Sequence, residues 1–139
     1  MKVHTAQIRL ETAGFCDIRD ITGELLRIVA EAGVKTGVVC LGCPGSTTGI
    51  TTIEFEPGAV ADFQRALEQL APQAGEYHHN DTWGDGNGFA HLRSALVGTS
   101  RCFPVREGRP ELGTWQQVVF LDFDNRARRR SITVTVLGE

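Results

Sequence analysis

The sequence predicts a single α+β domain, in which a mixed, mainly antiparallel sheet packs with about three helices. Segments rich in Val, Ile and Thr, typical of strands, occur near both ends of the chain and in its middle. Segments with apolar residues three and four positions apart, typical of helices, lie between them. Because several strands follow one another without a helix, an antiparallel or mixed sheet is favoured over a doubly wound one.

The first half of the chain predicts two helices among strands. Thr22 can cap a helix that runs to Ala32, and Gly33 is a typical residue to end it. Pro57 suits the first turn of a second helix, which Pro72 ends. The predicted strands of this half are Val3–Leu10, Val34–Cys40 and Thr48–Phe55.

The second half predicts a long polar loop over residues 72–88 and a short helix, Phe89–Val97, after it. The remaining predicted strands are Ser100–Arg106, Thr114–Phe123 and Arg129–Leu137, with Asp124–Arg126 as a hairpin turn between the last two. Apolar residues alternate on both faces of Thr114–Phe123, so both faces need a cover. Helices cover one face, and we expect a partner subunit on the other.

Composition excludes several classes of function. The 139 residues suit one domain, 1–139, and a net charge of −3 gives no basic character for binding nucleic acid. The run Arg126–Arg130 is interpreted as a solvated turn rather than a polyanion site. No stretch is long and apolar enough to span a membrane, no signal peptide is evident, and the common nucleotide-binding motifs are absent.

The four cysteines are expected to be ordinary thiols of a cytoplasmic protein. Cys40 and Cys43 have CxxC spacing. A zinc knuckle would need a second such pair, and a thioredoxin-type motif would open a helix rather than end a β-rich run. The spacing is therefore not taken as a metal or redox site.

The segment EYHHNDTWGDGNGFAHL, residues 76–92, is the strongest candidate for a site, because it holds three of the four histidines. Histidine supplies a neutral nitrogen ligand or a general base near pH 7, and carboxylates supply oxygen ligands. His79, Asp85 and His91 are evenly spaced along a loop and the start of a helix. We expect His79, His91 and at least one of Glu54, Asp85 and Asn87 to converge.

Three segments of the chain together resemble a known family. They are HHNDTWGDGNGFAHLRSALVGTS, LGTWQQVVFLDFDNRARRRSITVTVLGE and STTGITTIEFEPGAVADF, and they cover most of the sequence. The family is the YjbQ type, also called secondary thiamine-phosphate synthase enzymes. The resemblance implies a compact α/β domain, a homotrimer with a polar pocket near the subunit boundary, and a weak thiamine-phosphate-synthase-like activity.

The motifs of the family carry over residue by residue. Its Tyr-x-His motif falls on Tyr77 and His79, and its Asn-x-x-x-His pair falls on Asn87 and His91. The remaining matches are Thr114, Trp115 and Gln116 for the Thr-Trp-Gln motif and Glu54 for the acidic residue after the Thr-rich strand. Many members have a histidine where this chain has Ser46, which weakens the case for a three-histidine metal site.

Two classes of function follow. In the first, a transferase acts on a small phosphorylated molecule, with His91, His79 and Asp85 as the catalytic residues: His79 and His91 handle protons, and Asp85 or Glu54 holds Mg²⁺. The expected substrate contacts come from Asn87, Arg93, Thr47, Thr48, Trp115 and Gln116. In the second, a non-catalytic trimer binds an anion or a metal such as Zn²⁺ through His79, His91 and Glu54. Neither class involves nucleic acid or a membrane.

Overall fold

Two antiparallel sheets packed face to face make up the fold in the computed structural model, which describes all 139 residues. One helix closes the core between the sheets, and others pack on the outer side of the smaller sheet. The helices are α1 (Thr22–Ala32), α2 (Pro57–Leu70), α3 (His78–Trp83) and α4 (Gly88–Val97). The strands are β1 (Lys2–Thr12), β2 (Asp17–Asp20), β3 (Thr36–Gly42), β4 (Thr48–Ile53), β5 (Ser100–Arg106), β6 (Arg109–Pro110), β7 (Gln117–Asp122) and β8 (Arg128–Gly138).

The larger sheet has the strand order β1-β8-β3-β5-β6, and the smaller one has the order β2-β7-β4. Every pairing in both sheets is antiparallel. The α+β class predicted from the sequence is confirmed. None of the helices is both long and apolar enough to cross a membrane.

The main core lies between the two sheets and is closed by α1. Alternation in β8 turns Ile132, Val134 and Val136 inward, where each side chain is fully buried. Phe120 of β7 meets them from the smaller sheet, also fully buried. Each such side chain contributes about 2 kcal/mol through removal of its apolar surface from water.

Strand β7 is buried on both faces by its own chain. Val118 and Phe120 belong to the core between the sheets, while Val119 and Leu121 belong to a second core beneath the helices. The expectation that a partner subunit must cover one face was therefore wrong. The apolar residues at alternate positions of β7 correctly indicated that both of its faces are buried. The larger sheet of the same chain covers the face that was assigned to a partner subunit.

The predicted hairpin between the last two strands is also wrong. Strand β7 pairs with β2 and β4, whereas β8 pairs with β1 and β3 in the other sheet. The segment Asp124–Arg126 is a bend that carries the chain from one sheet to the other. Ion pairs from the buried carboxylates of Asp124 and Asp122 to Arg128 and Arg130, respectively, hold this crossing.

Three further local predictions need correction. Helix α3 occupies the middle of the segment predicted as a loop, and two strands of four and two residues, β2 and β6, were missed. Elements this short show too few repeats for a period to be recognised. Thr22 does not cap α1: its hydroxyl donates to Asp20 Oδ1 at 2.6 Å and accepts from the Val118 amide at 2.9 Å.

Two of the four cysteines are not free thiols. Cys40 of β3 lies directly opposite Cys102 of β5, and the two form a disulfide with a Cα–Cα distance of 4.2 Å. Cys16 and Cys43 are free and buried. The expectation of four ordinary thiols was wrong because Cys40 has a partner that strand pairing brings close but sequence spacing does not reveal.

Candidate functional site

Helices α3 and α4 bring His79 and His91 together. Their ring centroids are 4.2 Å apart and the ring planes are inclined by 36°. The helices meet closely because Gly88 lacks a side chain: a Cβ there would lie 2.5 Å from Cβ of Tyr77. The Gly88 amide instead donates to Asn80 Oδ1 at 3.0 Å. The sequence prediction that the two histidines converge is met by this geometry.

Two buried polar atoms at this point have no hydrogen-bond partner. Asn87, only 8% exposed, donates through Nδ2 to Asp124 Oδ1 at 3.3 Å, and its Oδ1 atom is left without a donor. Nδ1 of His79 is also buried and unpartnered. The nearest acidic group, Asp85 Oδ1, is 3.5 Å from this nitrogen, and the pair does not meet hydrogen-bond geometry. The site therefore has unused capacity to bind a polar ligand.

His91 is held toward its neutral form. Burial lowers its pKa below the ordinary 6.5, and the neighbouring His79 lowers it further. Asp85, Asp124 and the backbone of Ser46 act in the opposite direction without cancelling the effect. A neutral imidazole at neutral pH can accept a proton or bind a metal.

The ring of His91 opens onto a cavity of about 340 Å³ between α4 and the chain before β4. The other lining residues are small or hydroxyl-bearing: Gly45, Ser46, Ser94, Ala95, Gly98 and Thr99. This volume is at the lower end of the range that small-molecule sites occupy.

A buried network of aspartates and arginines contacts the site through Asn87. Asp124 is 1% exposed. Burial alone would raise its pKa, but hydrogen bonds from the Asn125 backbone, Asn87 and Arg128 outweigh burial and lower it. Asp122 accepts two hydrogen bonds from Arg130, at 2.8 and 3.0 Å. The ionised Asp124 fixes the amide of Asn87, and so the orientation of its free oxygen.

Sequence reasoning missed this network. It interpreted the Arg126–Arg130 run as a solvated turn, whereas Arg130 is largely buried against Asp122 and Arg128 is bonded to Asp124. The sequence does contain a signal for these ion pairs. Asp122 and Asp124 precede a turn, Arg128 and Arg130 follow it, and the two acids have the same spacing as the two bases.

Three expected site residues lie at the far end of the smaller sheet. Glu54 follows β4 at the end remote from Thr48, so strand length separates the two by about 20 Å. Gln116 precedes β7 at the same far end and contacts Thr52 at 3.4 Å, and Trp115 beside it is 71% exposed. The set His79, His91 and Glu54 is thus not assembled within the chain, and no group of three His, Cys, Asp or Glu residues is arranged to hold a metal.

Arg93 and the two threonines lie in the protein interior, where Arg93 and Thr47 are hydrogen-bonded and the Thr48 hydroxyl has no partner. Arg93 is 3% exposed and donates to the Ala71 carbonyl at 3.0 Å and to Glu68 at 2.6 Å, so it does not reach the histidines. Thr47 is buried and its hydroxyl accepts from Arg130 at 2.8 Å. Thr48 is fully buried. The substrate contacts expected of these three side chains stay a prediction.

Comparison with known proteins decides the family. The family model described as UPF0047 protein YjbQ-like matches residues 6–139. The chain belongs to the YjbQ family. A UPF0047 protein of Methanothermobacter thermautotrophicus is 33% identical over 139 residues, covering 100% of this chain and 95% of the relative. The UPF0047 protein YugU of Bacillus subtilis is 33% identical over 132 residues, covering 94% and 97%.

Solved structures of proteins that are 30% or more identical to this chain share the fold. The crystal structure of a YbjQ-like protein of unknown function from Sulfolobus solfataricus P2 has a TM-score of 0.94 at 34% identity and covers 99% of both chains. A hypothetical protein from Aeropyrum pernix K1 has a TM-score of 0.90 at 30% identity, covering 97% of this chain and 98% of its own. The YjbQ fold is thus shown for this chain over almost its full length.

Proposed function

We propose that this YjbQ protein moves protons on a small phosphorylated molecule through His91, with His79 and Asp85 beside it. The observation that carries this proposal is the position of His91, which combines a lowered pKa with an opening onto the cavity. A general base must be neutral at working pH and within reach of its substrate, and the lowered pKa of His91 and its place in the cavity lining support both conditions.

The proposed reaction is a slow transfer of the thiamine-phosphate-synthase type. A pyrimidine diphosphate joins a thiazole phosphate and releases pyrophosphate, whose growing negative charge needs stabilisation. Arg93, Arg128 and Arg130 are each paired with a carboxylate and cannot supply it without losing that partner. A weak rate is what such a site supports.

Replacing His91 with alanine tests this proposal. We expect turnover, measured as pyrophosphate released from the two substrates, to fall about 100-fold or more, because a general acid or base is lost. His78→Ala is the matched control: His78 is the neighbouring histidine on α3 and is fully exposed to solvent. Unchanged turnover in correctly folded His91→Ala protein would remove His91 from catalysis.

A second candidate function is binding of a divalent metal or an anion without catalysis. It is favoured by the two unpartnered buried atoms, Nδ1 of His79 and Oδ1 of Asn87, which suit a cation such as Zn²⁺ or Mg²⁺. Asp85, 3.5 Å from His79, would supply the acidic ligand instead of Glu54, beside Asn87 rather than His91.

Metal titration distinguishes the two functions. If the site binds Zn²⁺, calorimetric affinity should weaken as pH falls and the imidazoles take up protons, and Asn87→Ala should weaken it further. Elemental analysis of protein purified without chelators gives an independent measurement. Failure to bind added Zn²⁺ or Mg²⁺ at pH 8, with turnover intact, would leave the proton-transfer function alone.

A further inference from the structure

The only bonded cysteines, Cys40 and Cys102, lie on the outer face of the larger sheet. Their strands pair so that the two residues face each other, with Cα atoms 4.2 Å apart. This spacing is close to that of a non-hydrogen-bonded antiparallel pair, whose side chains are the nearest in a sheet. The neighbours Val39 and Leu41 turn inward, so Cys40 turns outward, and Cys102 is exposed. Solvent reagents can therefore reach the sulfur atoms.

The other two cysteines are protected by burial. Burial raises the pKa of Cys16 to about 11 and also raises the pKa of Cys43. Cys43 follows Cys40 by three positions, which places it on the inner side, where it is 7% exposed. A protonated, buried thiol is a poor nucleophile, so neither residue competes for Cys40 or Cys102.

The two strands joined by the sulfur atoms lead directly to the cavity of His91. The last register pair of β3 and β5 is Gly42 with Ser100, and the Cys43 amide then donates to the Thr99 carbonyl at 3.0 Å. The cavity is lined just beyond the ends of these strands, by Gly45 and Ser46 after β3 and by Gly98 and Thr99 before β5.

We propose that Cys40 and Cys102 are a reversible thiol–disulfide site that tethers the two strands carrying one wall of the His91 cavity. A thiolate of the pair attacks a small disulfide such as oxidised glutathione, releasing one glutathione thiol and leaving a mixed disulfide. The second thiolate displaces the other glutathione. The protein loses two protons and two electrons, and the glutathione disulfide takes up these protons and electrons to become two glutathione thiols.

Thiol counting after equilibration with glutathione tests this. The full chain is equilibrated at graded ratios of reduced to oxidised glutathione and then denatured in alkylating reagent. Mass spectrometry gives the number of alkylated cysteines per chain. We expect four alkylated cysteines at the reducing end and two at the oxidising end, with Cys40 and Cys102 the missing ones by peptide mapping. Amide exchange at Thr99 and Ser100 should be faster in the reduced form, because the tether is lost.

Two variants keep the test decisive. The Cys102→Ser variant should form no internal disulfide, so its number of alkylated cysteines should not fall by two at any ratio. The Cys16→Ser variant should still form the bond between Cys40 and Cys102. If Cys102→Ser formed an internal disulfide as readily as the parent, Cys43 would be the partner of Cys40 and the proposal would fail. Four alkylatable thiols at every ratio would also overturn it.

Discussion

The proton affinity of one side chain, His91, decides what the site can do. Burial is the largest cause of its lowered pKa, and the neighbouring His79 is the next. Because the folded pKa lies below the unfolded one, the unfolded chain binds this proton more readily. The contribution of His91 to stability is therefore unaffected well above pH 6.5 and declines as pH falls through 6.5 toward the folded pKa.

Replacing His79 with glutamine should raise the pKa of His91, because a neighbouring group that disfavours the imidazolium is removed. The increase should stop short of the ordinary value, since burial remains. Titration of the His91 ring proton by NMR gives the measurement. His78→Gln should leave the pKa of His91 unchanged, and a decrease in His79→Gln would contradict this account of the site.

At the scale of elements, Arg93 connects α4 to the end of α2. Its guanidinium lies 5.0 Å from the ring centre of Phe89 and donates to the Ala71 carbonyl and to Glu68. Arg93 was expected from the sequence to contact the substrate. A helical period predicts which residues share a face, and it does not show that a carbonyl from another helix lies opposite that face.

Arg93→Ala should lower the free energy of unfolding by about 3 kcal/mol, because the Ala71 carbonyl loses its buried donor. Glu68→Ala is the matched change on the other side of the pair. It should cost about 1 kcal/mol or less, since Glu68 is 53% exposed and Arg93 keeps its bonds to Ala71. Urea unfolding of both variants measures the difference. Equal losses would mean that the ion pair, rather than the carbonyl contacts, carries the stability.

At the scale of the whole molecule, the two sheets pack against each other, and the outer face of the larger sheet is left uncovered. Polar side chains dominate that face where β1 pairs with β8, as in the contact of Ser131 Oγ with Gln7 Oε1 at 3.1 Å. The apolar face that first suggested a partner subunit is buried within the chain. The expectation of a trimer now depends on the family resemblance alone.

The trimer remains a prediction with a direct measurement. Sedimentation equilibrium at micromolar concentration should give a mass three times the 15.2 kDa of the chain. If it does, subunit contact can bring Glu54 or Trp115 of one copy to the histidines of another, which strand length prevents within one chain. A stable monomer would exclude both the assembly and that arrangement.

The sequence alone determined the long elements, the family and the pairing of His79 with His91. Strands β1 and β8 and helix α1 show enough repeats to fix their faces, and the histidine motifs are specific. Only the tertiary structure decided what covers each face. It placed β7 and β8 in different sheets, brought Asp124 rather than Glu54 beneath the site, and joined Cys40 to Cys102. The physical reason is that a period records the direction of a side chain, whereas its partner depends on contacts between residues distant in sequence.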